Sequence, residues 1–79
     1  MHGTFNGIHL DRITSVTTEA AGHSRLTTVR GLDPLDLHAL KINMHARLIL
    51  ADDQIEGVLV AYAANGYDYR ITIESSYAV

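Results

Sequence analysis

The chain has 79 residues, 47% of them hydrophobic and 19% charged, and nine acidic residues against six Lys and Arg give a formal charge of −3. It is too apolar for disorder, too short for more than one domain, and too acidic for a broad electrostatic grip on nucleic acid. Cysteine is absent, which excludes disulfides and thiolate-held zinc or iron–sulfur clusters.

A domain of this length buries only about 60% of its unfolded surface, so a single core is marginal and association between copies is expected to complete it. No apolar run approaches the roughly 20 residues that span a membrane. The start, MHGTFNGIHLDR, lacks the basic residues and apolar centre of a secretory signal. The expected setting is the cytoplasm, with no membrane contact.

Residues Gly7 to Thr18 (GIHLDRITSVTT) are rich in β-branched types, which pack well on a pleated surface. A helix could be drawn through Leu10, Ile13, Thr17 and Ala20, but the Ser and Thr residues weaken it, and a strand is favoured. Ala21-Gly22-His23-Ser24 reads as a turn, and Arg25 to Val29 (RLTTV) as the next strand.

Asp33-Pro34 carries the chemistry of a helix start: Asp33 can accept from the free amides of a first turn, and Pro34 suits the following position. Leu37, Leu40 and Met44 then share a helical face. From Leu40 to Leu50, however, the even positions are Leu, Ile, Met, Ala, Leu and Leu, while Lys41, Asn43, His45 and Arg47 occupy odd ones. This period of two predicts a short helix that yields to a strand between Met44 and Arg47. The rival is one long helix to Asp52, lying on a sheet in a ββαββ order; it would need burial on two sides.

Asp52-Asp53 reads as a turn. Ile55 to Ala63 is apolar on both alternating faces, as in a central strand, and Gly57 within it predicts a bulge or sharp bend. Asn65-Gly66 is a hairpin signal, because both residues tolerate positive φ. Beyond it Tyr67, Tyr69, Ile71 and Ile73 share one face and Asp68, Arg70, Thr72 and Glu74 the other.

The run RLILADDQIEGVLVAY followed by YDYRITIE resembles the Sm-like group of SH3-type barrels: a strand, an acidic turn, a strand bent at an I-x-G (Ile55-Glu56-Gly57) and a further strand. The short helix that precedes these in the family would be DPLDLHALKIN. Separately, IHLDRITSV, Ile8 to Val16, is similar to the closing strand of the Rof family of small Sm-like inhibitors of the terminator Rho. Asp53 stands where the family has glycine, and the Rof-like strand comes before the helix instead of last, a permuted order. The Asn and basic signatures of RNA-binding Sm proteins are not visible. The resemblance spans about half the chain by pattern and implies a small barrel that regulates or inhibits a nucleic-acid machine.

Catalytic chemistry has no motif here. The serines lie in no G-x-S-x-G elbow, the glycines form no phosphate loop, and the histidines make no H-x-x-x-H or H-E-x-x-H pair. His38 and His45 would stand about 10 Å apart on a helix, too far to share a metal. No enzyme, metal or cofactor is expected. Two constellations suit binding. Lys41, Asn43, His45 and Arg47 would form a polar, partly cationic stripe on an extended segment, suited to phosphate or an acidic protein surface; the ordinary account is a solvated sheet face. Tyr62, Tyr67, Tyr69 and Tyr77 offer rings for protein contact or base stacking, or else core packing. The tail SSYAV could lengthen an edge strand and pair with a neighbour.

The sequence thus predicts a mainly β domain: about five antiparallel strands in an SH3- or Sm-like barrel with one short helix. The expected function is non-enzymatic binding, by a small regulator or inhibitor acting through protein–protein contacts and self-association. An RNA-binding Sm-like oligomer and a structural assembly subunit, such as a phage component, are the alternatives.

Overall fold

Among the described residues seven segments are extended: β1 (Gly3–Phe5), β2 (Ile8–Leu10), β3 (Ile13–Ala21), β4 (Ser24–Gly31), β5 (His45–Leu50), β6 (Gln54–Asn65) and β7 (Asp68–Ser76). The structure is a computed structural model that describes residues 1–65 and 68–76, the Leu37 side chain excepted. The expectations for Gly66, Tyr67 and the tail from Tyr77 lie outside the described residues.

All neighbours are antiparallel, and the strands form one sheet in the order β2-β1-β5-β6-β7-β4-β3. Tight turns set the registers. Asn6 and Gly7, at φ 50 and 85°, join β1 to β2. Gly22, at φ 64°, with His23 joins β3 to β4 and leaves Ala21 opposite Ser24. Two-residue loops with positive φ match the twist of the strands they connect.

A single layer has no second layer to cover its apolar side. A flat sheet of seven strands would be about 30 Å wide with one side bare. Instead the radius of gyration is 11.7 Å, close to the roughly 11.6 Å of a compact chain this long. The sheet coils around one core to which every strand contributes, including Phe5, Leu10, Ile13, Val29, Leu48, Leu59 and Ile71. Leu40 closes the core from the β4–β5 connection.

Strand β6 turns the corner. Its first part, to Val58, pairs with β5, and its second part, from Val58, pairs with β7, with a bulge between Leu59 and Ala61. Gly57 lies where the β7 backbone passes closest: a Cβ there would collide with the carbonyl oxygen of Glu74. The bend expected at Ile55-Glu56-Gly57 is therefore a close approach at Gly57 followed by a bulge at Val60.

The chain is mainly β, as expected, but the sheet is not the closed barrel of about five strands. Among the described residues it has seven strands and two margins, β2 and β3. The one long helix of the ββαββ alternative is absent, since His45–Leu50 is a strand with Ala46 and Leu48 buried and His45 and Arg47 exposed. The short helix shrinks to a single 3-10 turn, Leu37–Ala39, in which the Asp36 carboxylate accepts from the His38 N–H at 2.9 Å. Lys41–Met44 forms a turn with Asn43 at φ 72°, so the period of two fails at Ile42, which is exposed. The expected single strand from Gly7 is two, β2 and β3, broken at Asp11-Arg12.

Thr27 is fully buried on the inner face of β4, and its hydroxyl has no hydrogen-bond partner among the described residues. An unsatisfied buried hydroxyl is a cost that an apolar group of the same shape removes. Thr27→Val is expected to raise stability by about 1 kcal/mol, read as a higher urea midpoint with unchanged slope.

Candidate binding surface

The two margins of the sheet lie two residues apart in sequence, because β2 ends at Leu10 and β3 begins at Ile13. Asp11 and Arg12 must carry the chain across, and Asp33 holds them. Its Oδ1 accepts from the Asp11 N–H at 2.8 Å and from the Arg12 N–H at 3.2 Å, while Oδ2 accepts from the Arg12 N–H at 3.1 Å. The Tyr69 hydroxyl donates to the same Oδ2 at 3.0 Å. Asp33, expected as a helix N-cap, is instead a buried anchor between two sheet margins and a core tyrosine. Gly31, paired with Tyr69, makes this possible, since a Cβ there would strike the Tyr69 hydroxyl.

Burial by itself pushes the Asp33 carboxyl up, but the two amides, the Tyr69 hydroxyl and the Arg12 charge together outweigh it and hold its pKa below the usual value. Burial, then the bond to Asp33 and its negative charge, push Tyr69 up, so its hydroxyl stays a donor at physiological pH. Main-chain bonds complete the junction: Ile13 N–H to the Met1 carbonyl and Leu32 N–H to the Arg12 carbonyl, both 3.0 Å.

The expected stripe is only half extended. His45 and Arg47 project from β5, but Lys41 and Asn43 lie in the exposed turn before it. Both strand residues meet cross-strand partners on β6. His45 Nε2 lies 3.0 Å from Glu56 Oε2. With the Gln54 amide turned so that its oxygen faces Arg47, that oxygen accepts from Nη2 at 2.8 Å and Nε at 3.0 Å. The Asn6 side chain also braces this strand, donating to the His45 carbonyl and accepting from the Arg47 N–H. Of the four tyrosines, two are among the described residues: Tyr69 is buried and Tyr62 packs half-buried against the core.

A different surface emerges on the outer face of β6, β7, β4 and β3, where register aligns side chains in rows. One row reads Ala63, Arg70, Arg30, Ser15; the next Ala61, Thr72, Thr28, Thr17; the third Val58, Glu74, Leu26, Glu19. Charge thus grades from cationic through neutral to acidic along the strands. Arg30 and Arg70 are adjacent and exposed, and neither they nor Glu19 has an ion-pair partner among the described residues. Thr28 and Thr72 share a hydrogen bond at 3.2 Å in the neutral row. A shallow depression of about 440 Å³ runs over these rows. Sequence alternation placed Arg70 and Glu74 outward, but their alignment with Arg30 and Glu19 depends on the β4–β7 and β3–β4 registers.

Among the described residues no three of His, Asp and Glu gather as metal ligands, and no helix is long and apolar enough to cross a membrane. No family model, no curated protein and no solved structure matches the chain.

Asp33→Asn is expected to cost about 2–3 kcal/mol and Tyr69→Phe about 1–2 kcal/mol, because each leaves buried polar groups without a charged or hydroxyl partner. The double variant is expected to lose less than the sum, by about 1 kcal/mol in a urea-unfolding cycle. A carboxyl whose folded pKa is depressed contributes fully above its unfolded pKa of about 3.9, and the contribution is lost as pH falls through the folded value. The gap between wild type and Asp33→Asn should therefore stay constant from neutrality down to about pH 5 and narrow only below about pH 4.

Proposed function

We propose that the protein is a non-enzymatic binding module that acts through protein–protein contacts, accepting an extended segment at the open margin formed by β3. The observation that carries this reading is the character of that margin. Strand β3 is nine residues long with one charge, Glu19, and no lysine or proline. A bulge and the Met1 carbonyl occupy its first two residues, and from Ser15 to Ala21 no strand lies beyond it among the described residues. Natural proteins usually blunt such a margin with charge, proline or a covering segment; an open one is a template for strand addition.

The resemblance to Sm-like and Rof proteins supports a small regulator or inhibitor as the biological form of this module, and a structural assembly subunit would use the same margin. A second reading, an RNA-binding Sm-like oligomer, is favoured by one observation, the exposed Arg30–Arg70 row beside the threonine hydroxyls. It requires affinity for a short RNA that falls steeply with salt.

The direction of the backbone groups supplies the test. Ala21 and Ser24 flank a two-residue loop, and such a loop closes on a pair that exchanges both hydrogen bonds. Alternation then turns the N–H and C=O groups of Val16, Thr18 and Ala20 away from β4, toward the open side. A displayed library of random nonapeptides selected on the immobilised protein is expected to enrich alternating, β-branched sequences. Their binding should vanish for Thr18→Pro, which removes an outward donor and leaves the bonds to β4 in place. Peptides that bind Thr18→Pro as well as wild type would contradict the proposal.

A further inference from the structure

Resting on the strand-accepting reading of β3, we infer that its occupant is a second copy of this chain, paired antiparallel about a two-fold axis at Thr17. The outward backbone groups belong to Val16, Thr18 and Ala20, so a self-pairing must place even residues opposite even residues. A register centred on Thr17 does so: Val16 faces Thr18 of the other copy, and each such pair can exchange both of its hydrogen bonds. This register pairs the regular residues Ser15 to Glu19 of the two copies, with Ser15 opposite Glu19.

The bond from the Leu32 N–H to the Arg12 carbonyl checks the parity independently. Arg12, an even residue, bonds toward β4 before the irregularity between Ile13 and Ser15, and odd residues do so after it. The outward direction of the Ile13 N–H, which reaches Met1, fits the same pattern.

Charge selects this register over its neighbours. The two-fold operation continues the cationic row of one copy into the acidic row of the other, across Ser15. Glu19 of the second copy then stands two strand spacings from Arg30, about 10 Å between Cα atoms, a gap that the two long side chains close over the small serine. Arg30 and Glu19 are both exposed and lack ion-pair partners among the described residues of the single chain. The neutral rows meet at Thr17, where no charge opposes its own kind. A shift by two residues in one direction sets Thr17 against Glu19 and takes Glu19 out of the arginine row; in the other it shortens the pairing. The operation is isologous, so the assembly closes at two copies and leaves only the short β2 margins at its ends.

Light scattering after size exclusion, across micromolar to millimolar protein, tests the pairing with Glu19→Arg, Arg30→Glu and the double swap. Wild type is expected to be dimeric at the upper end of the range. Each single reversal should raise the dissociation constant about tenfold or more, since two pairs per dimer become repulsive. The double swap should return it to within a few-fold of wild type. All three should unfold near the wild-type midpoint, because both positions are exposed. A wild-type chain that stays monomeric at millimolar concentration, or a double swap no tighter than the singles, overturns the two-fold register. Continued peptide binding in those cases keeps the strand-accepting margin standing, whereas a Thr18→Pro chain that dimerises like wild type overturns the margin as well.

Discussion

The carboxylate of Asp33 bridges what a single coiled sheet most needs to join. With one layer and, among the described residues, no helix beyond a single 3-10 turn, the apolar face can be covered only if the two ends of the sheet swing toward each other. The chain enforces this by placing only Asp11 and Arg12 between the margin strands β2 and β3. Two backbone amides in so short a link cannot both find ladder partners, and a buried amide without a partner costs about 1–3 kcal/mol. Asp33 satisfies both, and Tyr69 ties the carboxylate to the core. Gly31 is the steric condition, because any side chain there would displace the tyrosine from its acceptor.

The same anchor shapes what the molecule offers outside. Joining the margins at one corner fixes the start of β3 against Met1 and Arg12, but the rest of the strand runs on without a neighbour among the described residues. The sheet is therefore pinned at one end of β3 and open along its length. On the outer face, registers set by the Gly22-His23 turn and by the β4–β7 ladder sort charge into an ordered gradient. A half-satisfied margin flanked by graded charge is what the proposed binding module rests on. The histidine and arginine of β5, by contrast, are occupied with Glu56 and Gln54.

Much of the architecture could be read from local chemistry. Alternation between Ala46 and Leu50 announced a strand, Gly57 a bend, Asp52-Asp53 a turn, and Tyr69, Ile71 and Ile73 a buried face. Asn6-Gly7 carries the same signal as Asn65-Gly66 and could have been read as a hairpin, but its flanking strands have three residues each, too short to show a period. Asp33 misled because Asp-Pro is good grammar for a helix start, while its true partners, Asp11, Arg12 and Tyr69, are 21 to 36 residues away. The arginine row was hidden for a related reason. Alternation tells which side a residue faces, whereas register between distant strands decides its neighbours.

Amide hydrogen exchange along β3, followed residue by residue at low and high protein concentration, addresses the open margin most directly. Thr17 and Glu19 bond inward to β4 and should be protected at every concentration. Val16, Thr18 and Ala20 point outward; their amides should exchange freely in dilute solution and become protected as concentration rises. Outward amides that exchange at unprotected rates even at millimolar protein, or that are already protected in the dilute monomer, would contradict an open strand completed by a second copy.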